Sequence, residues 1–449
     1  MTTLYQAMPV RFFRANYPWL IVICGMLFYC FNYFLRVSPS VMQNELTHAF
    51  HITSTQLGTL VGLYYLAYTP VQLPAGALFD KFGAKYVLFL ACSVAMLGLF
   101  IFITANSYYS AALGRFLIGL GCAFAYVGTL KLASIWLPPN RFATVAGLTT
   151  AVGMISGAYA QQYLTPVVME IGYQNALKTA LVAGIFLCVL IMLLVKNRPQ
   201  EILTTNQVMQ PIVSFRELFN AIKQIFRSKQ MWLIGIIGCL LYLPSSVFLD
   251  LWGIPYLKSV YHLNAEQATT LSAYTFYGWI ISGPLIGIIS DKIKRRCLPL
   301  TVTGFFAAVL LCTVFYAPGL TLSSLQYIFF FIGFCCGAHP LCFALGKENN
   351  PINMSGTAVA TTNMLIMAGG AIFQPVVGML LDLHAQGTLD VDGLPIYLPS
   401  DYTFALSVVP LGVALGIFLS LFLKETHCQM PVQEASERAL DGELVGEKA

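Results

Sequence analysis

Gly76-Ala77-Leu78-Phe79-Asp80-Lys81-Phe82-Gly83-Ala84-Lys85 lies between two apolar stretches. A degenerate copy, Gly287-Ile288-Ile289-Ser290-Asp291-Lys292-Ile293-Lys294-Arg295-Arg296, returns 211 positions later. A glycine, an aspartate four residues on and a basic cluster recur in the same register. Each copy separates the second and third apolar stretch of its half. The chain is therefore read as a duplicated polytopic membrane protein.

Composition agrees. Apolar residues make up 57% of the chain and charged ones 10%, against about 25% charged in soluble domains. Apolar runs of membrane-crossing length repeat from Pro18 to Leu423. Twelve spans are expected, at 18–44, 55–79, 85–105, 108–136, 142–168, 174–195, 231–257, 265–289, 298–317, 322–345, 354–382 and 402–423. The fold class is all-α: two pseudo-symmetric six-helix bundles around a central cavity. Residues 1–17 form a cytoplasmic N-terminus, 18–195 the first bundle, 196–230 a linker, 231–423 the second bundle and 424–449 a disordered cytoplasmic tail. Within the linker, Phe215–Arg227 reads as an amphipathic helix, with Phe215, Leu218, Phe219, Ile222 and Phe226 on one face.

The net charge of +5 is not a nucleic-acid footprint. Lys178 and Lys258 are the basic residues of the outer loops. Arg36, Arg115 and Lys131 fall inside spans, and the rest lie on inner segments. The positive-inside rule then places both termini in the cytoplasm, with the chain in the inner membrane. The outer loops carry acids instead, among them Asp382, Asp390, Asp392 and Asp401. Ten of the twelve cysteines fall inside spans and none in an outer loop, so no disulfide framework is expected. Neither a metal nor a cofactor is expected. There is no nucleophile–base pair, metal-ligand cluster or phosphate-cradling loop of a recognised kind, which argues against an enzyme.

The halves match beyond the loops. Phe34-Leu35-Arg36 corresponds to Phe248-Leu249-Asp250, and Gln56-x3-Leu60 to Gln267-x3-Leu271. Gly119 and Cys122 correspond to Gly333 and Cys336. Thr144, Gly157-Ala158 and Gln161 correspond to Thr357, Gly370-Ala371 and Gln374.

These residues resemble the major facilitator superfamily. Gly76-x-Leu78-x-Asp80-Lys81-x-Gly83-x-Lys85 is similar to its loop 2–3 signature, and Arg115-x3-Gly119-x-Gly121 to its span 4 motif. Gly147-x5-Gly153-x3-Gly157 is similar to its glycine-rich span 5 motif, with Ala158 where a proline is usual; that departure disfavours drug-export antiport. Tyr33-Phe34-Leu35-Arg36-x2-Pro39-x3-Gln43, with Tyr64 and Pro70, resembles bacterial relatives of the lysosomal dipeptide transporter and phagosomal amino-acid transporters. An arginine late in span 1 is also a feature of organophosphate and organic-anion porters. The resemblance implies alternating access by a monomer whose partners are a small solute, the lipid bilayer and, in a symporter, protons. Two substrate readings stay open: amino acids or short peptides, and organic or phosphorylated anions. A membrane sensor is a minor third.

Charge inside a span is costly, so Arg36, Arg115, Lys131, Asp250 and His339 are the candidate functional set. Arg36 offers a planar fork to a carboxylate. Asp250, its pseudo-symmetric counterpart, is a candidate for a substrate ammonium, a coupling proton or an ion pair with Arg36; a low-dielectric site favours the neutral carboxyl. Arg115 is either a substrate ligand or a donor to neighbouring backbone, and Lys131 snorkels towards the inner surface. His339, beside Pro340, is a candidate protonatable hinge. Asn32, Tyr33, Tyr64, Tyr68, Trp252, Tyr274, Asn363 and Gln374 complete the expected substrate site, with Tyr29, Tyr65, Gln72, Tyr242, Tyr277 and Trp279 as further polar or aromatic candidates. Gating is assigned to Gly76, Asp80, Lys81, Gly83, Lys85, Arg141, Gly287, Asp291, Lys292 and Arg295. By family analogy, Asp80 and Asp291 meet the N-termini of spans 11 and 5 and hold the cytoplasmic side shut.

Overall fold

A computed structural model describes residues 10–138, 141–197, 215–317, 319–351, 354–385, 387, 389–390 and 392–429. Much of the linker and the tail beyond residue 429 lie outside the described residues. The first half comprises Val10–Val37 (span 1), Ser54–Phe82 (2), Ala84–Ile103 (3), Tyr108–Cys122 with Ala125–Trp136 (4), Phe142–Ile171 (5) and Tyr173–Leu194 (6). A helix covers Phe215–Arg227 in the linker. The second half comprises Lys229–Leu243, Pro244–Trp252 and Gly253–Val260 (span 7), Ala265–Ile293 (8), Cys297–Tyr316 (9), Leu322–Cys336 with Leu341–Glu348 (10), Ser355–His384 (11) and Pro399–Leu406 with Val408–Ser420 (12).

Ten of the described helices, counting the broken ones as single spans, are long and apolar enough to cross a membrane. Spans 2 and 5 reach the length at 29 and 30 residues. They carry buried Gln72, Thr149, Gln161 and Thr165, because they pack on the other half: span 2 against span 11, span 5 against span 8.

The internal matches have physical causes. Thr53 and Asn264 cap spans 2 and 8, and Gln56 and Gln267 reach back to the capping residue, giving two capping boxes. Gly119 and Gly333 lie where spans 4 and 10 touch the backbone of spans 2 and 8, at the carbonyls of Tyr64 and Thr275. A side chain there meets backbone that no rotamer can move. Valine at Gly119 or Gly333 is expected to cost about 1–3 kcal/mol, read as a lowered melting temperature; unchanged melting in both would refute these close approaches. Gly370 packs on Tyr65 and Gly157 on Phe276, so the matched glycines line the two seams between halves.

Span 1 ends earlier than the apolar run suggests. Helix stops at Val37, and Ser38–Val41 makes a tight turn with Pro39 in its first positions. A proline disfavours helix in the residue before it. Arg36 therefore sits in the last turn, where the helix dipole favours a cation. Span 7 departs from regular helix too. Pro244–Trp252 winds with wide turns, an arrangement frequent at functional sites. Two matched glutamines grip it: Gln161 donates to the Leu249 carbonyl at 2.7 Å, and Gln374 to that of Ser246 at 2.6 Å.

Candidate functional site

The wide turns of span 7 bring Asp250 against the end of span 1. Arg36 Nε donates to Asp250 Oδ2 at 2.7 Å, and Arg36 Nη2 to the Tyr242 hydroxyl at 2.7 Å and Ser245 Oγ at 3.3 Å. The rings of Tyr33, Tyr65 and Tyr242 surround the guanidinium carbon at 4.5, 5.4 and 5.5 Å, within cation–π range. Tyr65 also donates to Asp250 Oδ2, and the Tyr33 and Tyr242 hydroxyls lie 3.2 Å apart. Arg36 is 5% exposed and Asp250 0%. Asp250 Oδ1 has no hydrogen-bond partner. A buried carboxylate oxygen left without one is expensive.

Arg115 lies beneath this pair. Its Nη1 donates to the Leu35 carbonyl at 2.9 Å, its guanidinium faces the Tyr64 ring at 5.3 Å, and Nε and Nη2 have no partner. It thus holds the end of span 1, as the backbone-donor alternative anticipates, with two donors spare. Tyr64 donates to Asn32 and stacks on Tyr68 at 5.8 Å. His339 occupies the break in span 10, packed against Tyr242 at 4.9 Å and Trp279 at 5.1 Å, its Nδ1 without a partner. Asn363 donates across the seam to Gln72 at 3.0 Å.

Three expected site residues serve other contacts. Trp252 donates to the Gln374 carbonyl at 3.2 Å, and Gln374 itself holds span 7. Tyr274 pairs with Tyr277, whose hydroxyl lies 3.2 Å from Gln162 on span 5. Conversely Tyr65, Tyr242 and Ser245 enter the Arg36 shell. The two tyrosines were visible as mid-span aromatics; Ser245 carried no signal.

At the end bearing the loop motifs, Asp80 pairs with Lys131 at 2.5 Å, and Asp291 with Arg296 at 2.6 Å. Both partners belong to the same half as the aspartate, and among the described residues neither carboxylate makes the cross-half contact expected from the family. Burial disfavours the Arg296 charge, but Glu348 and Asp291 outweigh it and hold its pKa above the ordinary value. Gly83 has φ +82 and packs under Asn197, which accepts the Lys85 N–H at 2.9 Å. Glu425 caps span 9 in the same way, accepting from the N–H groups of Arg296 and Cys297. Lys81, Arg141, Lys292 and Arg295 are exposed. At this end Gly76, Gly147, Gly283, Gly287 and Gly356 have open space where a Cβ would stand. At the distal end Gly58, Gly62, Gly370 and Gly378 press on the opposite half. The span 2–span 11 seam is thus closed at its distal end.

A model described as Major Facilitator Superfamily matches residues 21–374. The chain is 23% identical over 386 residues to an uncharacterized transporter of Bacillus subtilis, covering 80% of this chain and 86% of that one. It is 24% identical over 291 residues to a probable sulfoacetate transporter of Cupriavidus necator (63% and 66% covered). It is 26% identical over 294 residues to a probable L-galactonate transporter of Escherichia coli (58% and 62% covered). A bacterial homolog of the human lysosomal transporter Spinster, in an inward-facing, unoccupied conformation, shares the fold with a TM-score of 0.68 at 14% identity, covering 90% of this chain and 95% of that chain.

Proposed function

Since the chain belongs to the major facilitator superfamily, we propose that it is a secondary transporter carrying small organic carboxylates across the inner membrane by alternating access, with protons as coupling ion. The buried Arg36–Asp250 pair at 2.7 Å carries the proposal. Arg36 and Asp250 neutralise one another, and the buried Arg115 adds a second cation beside them. A substrate carboxylate must compete with the Asp250 carboxylate for the same guanidinium. A proton on Asp250 removes that competition and releases the Arg36 fork to the substrate. The tyrosine hydroxyls around Arg36 then supply polar contacts without further charge.

Two relatives are named for acids, sulfoacetate and L-galactonate, which supports the organic-anion reading. The amino-acid or peptide reading needs Asp250 for a substrate ammonium, and neither acid carries an amine. The basic residues of the motif end support a cytoplasmic location for that end.

A thermal-stabilisation screen on purified protein tests the substrate class, comparing sugar acids, sulfonated acids, dicarboxylates, amino acids and dipeptides. Stabilisation by amine-free acids is expected. Stabilisation by zwitterions alone would return the assignment to amino acids or peptides.

A further inference from the structure

The distal seam is held by a contact that neither the loop motifs nor the central site includes. Asp382 lies in the last turn of span 11. Its Oδ1 accepts the Ser54 N–H at 3.2 Å and the Tyr397 hydroxyl; its Oδ2 accepts the Thr55 N–H at 2.8 Å and the Thr55 hydroxyl at 2.5 Å. Ser54 and Thr55 open span 2. Their N–H groups are among those a helix cannot satisfy internally, and the dipole makes that end attractive to an anion. The carboxylate of one half thus caps a helix of the other.

Packing sets this geometry. Gly378, one turn before Asp382, fits against the Ser54 carbonyl, and Gly58, one turn into span 2, against that of Gln374. Any side chain at either glycine would push the helices apart and withdraw the carboxylate. Among the described residues the second seam has no counterpart. The position matching Asp382 on span 5 is Met169, 74% exposed, and the residue matching Thr55 is Glu266. Among the described residues the latch occurs once, on the span 2–span 11 side.

We propose that Asp382 is the carboxylate latch of the distal gate, and that it must leave the head of span 2 in each transport cycle. This is the chemistry the resemblance implied for Asp80 at the opposite end, built here from a residue whose matched position in the first half is not an acid. The inference rests on alternating access, as proposed above. Opening replaces these bonds with water, so the latch sets the balance between closed and open distal forms.

The test is the distance across the distal face, measured by pulsed electron paramagnetic resonance. Spin labels on non-natural amino acids at exposed Asn106 and Ser400 leave the native cysteines in place. Wild type is expected to show a predominant short distance, with a longer one populated when conditions drive transport. Asp382→Asn is expected to raise the long-to-short ratio about tenfold, as for lost charge-assisted hydrogen bonds, and Tyr397→Phe to raise it less. Where Asp382→Asn does not purify folded, Tyr397→Phe decides. Wild-type populations in the decisive variant would overturn the latch alone. A distal distance that never changes in wild type under any ligand or pH would overturn both the latch and alternating access.

Discussion

Asp250→Asn protein is expected to bind organic carboxylates at least as tightly as wild type, and to do so with little dependence on pH. Asparagine keeps the shape and an acceptor for Arg36 but mimics the protonated side chain permanently. The competing internal anion is removed, so the Arg36 fork is free for substrate. The same change removes the proton carrier. Reconstituted variant is expected to exchange substrate across vesicles while losing accumulation driven by a proton gradient, a fall of about tenfold or more. Accumulation at the wild-type level would remove Asp250 from coupling and leave it as a structural partner of Arg36.

Substitution of Arg36 has the other large effect, and its two forms separate charge from geometry. Arg36→Ala leaves Asp250 buried at 0% exposure without its ion-pair partner. Breaking a buried pair by removing one partner costs about 3–5 kcal/mol, so the variant should melt far below wild type. Adding Asp250→Ala should recover much of that loss without restoring anion binding. Arg36→Lys keeps the charge but loses the bidentate fork and the stacking among Tyr33, Tyr65 and Tyr242. Affinity is expected to fall about 10- to 100-fold. Normal affinity in Arg36→Lys would show that substrate does not engage the guanidinium as a fork.

The architecture was written in the duplication. Gln56 with Gln267, and Gly119 with Gly333, stood out as matches between the halves, because the capping boxes and close helix contacts they serve depend on local chemistry that repeats with the fold. The pairing of Arg36 with Asp250 could be anticipated from their matched positions. The shell around them could not. Tyr65 reaches Asp250 only because span 7 is wound wide between Leu243 and Gly253, and nothing in Pro244–Trp252 beyond its leading proline signals that winding. Gln374 and Trp252 looked like ligands because they are polar or aromatic within a span, yet the wide turns consume them. Arg115 matched a family motif and proved to grip backbone beside the site. Asp382 was visible as an outer-loop acid. Its role depends on span 11 running to His384, two residues beyond the expected end, so that its last turn reaches span 2.

The most direct measurement is the number of protons taken up when substrate binds. Titration calorimetry of an amine-free organic acid that stabilises the protein, run in buffers of different ionisation enthalpy, gives it. About one proton per substrate bound is expected for wild type, because a substrate carboxylate and Asp250 compete for Arg36, and none for Asp250→Asn. Binding without proton uptake in wild type, or equal uptake in both proteins, would contradict the exchange of Asp250 for substrate on Arg36.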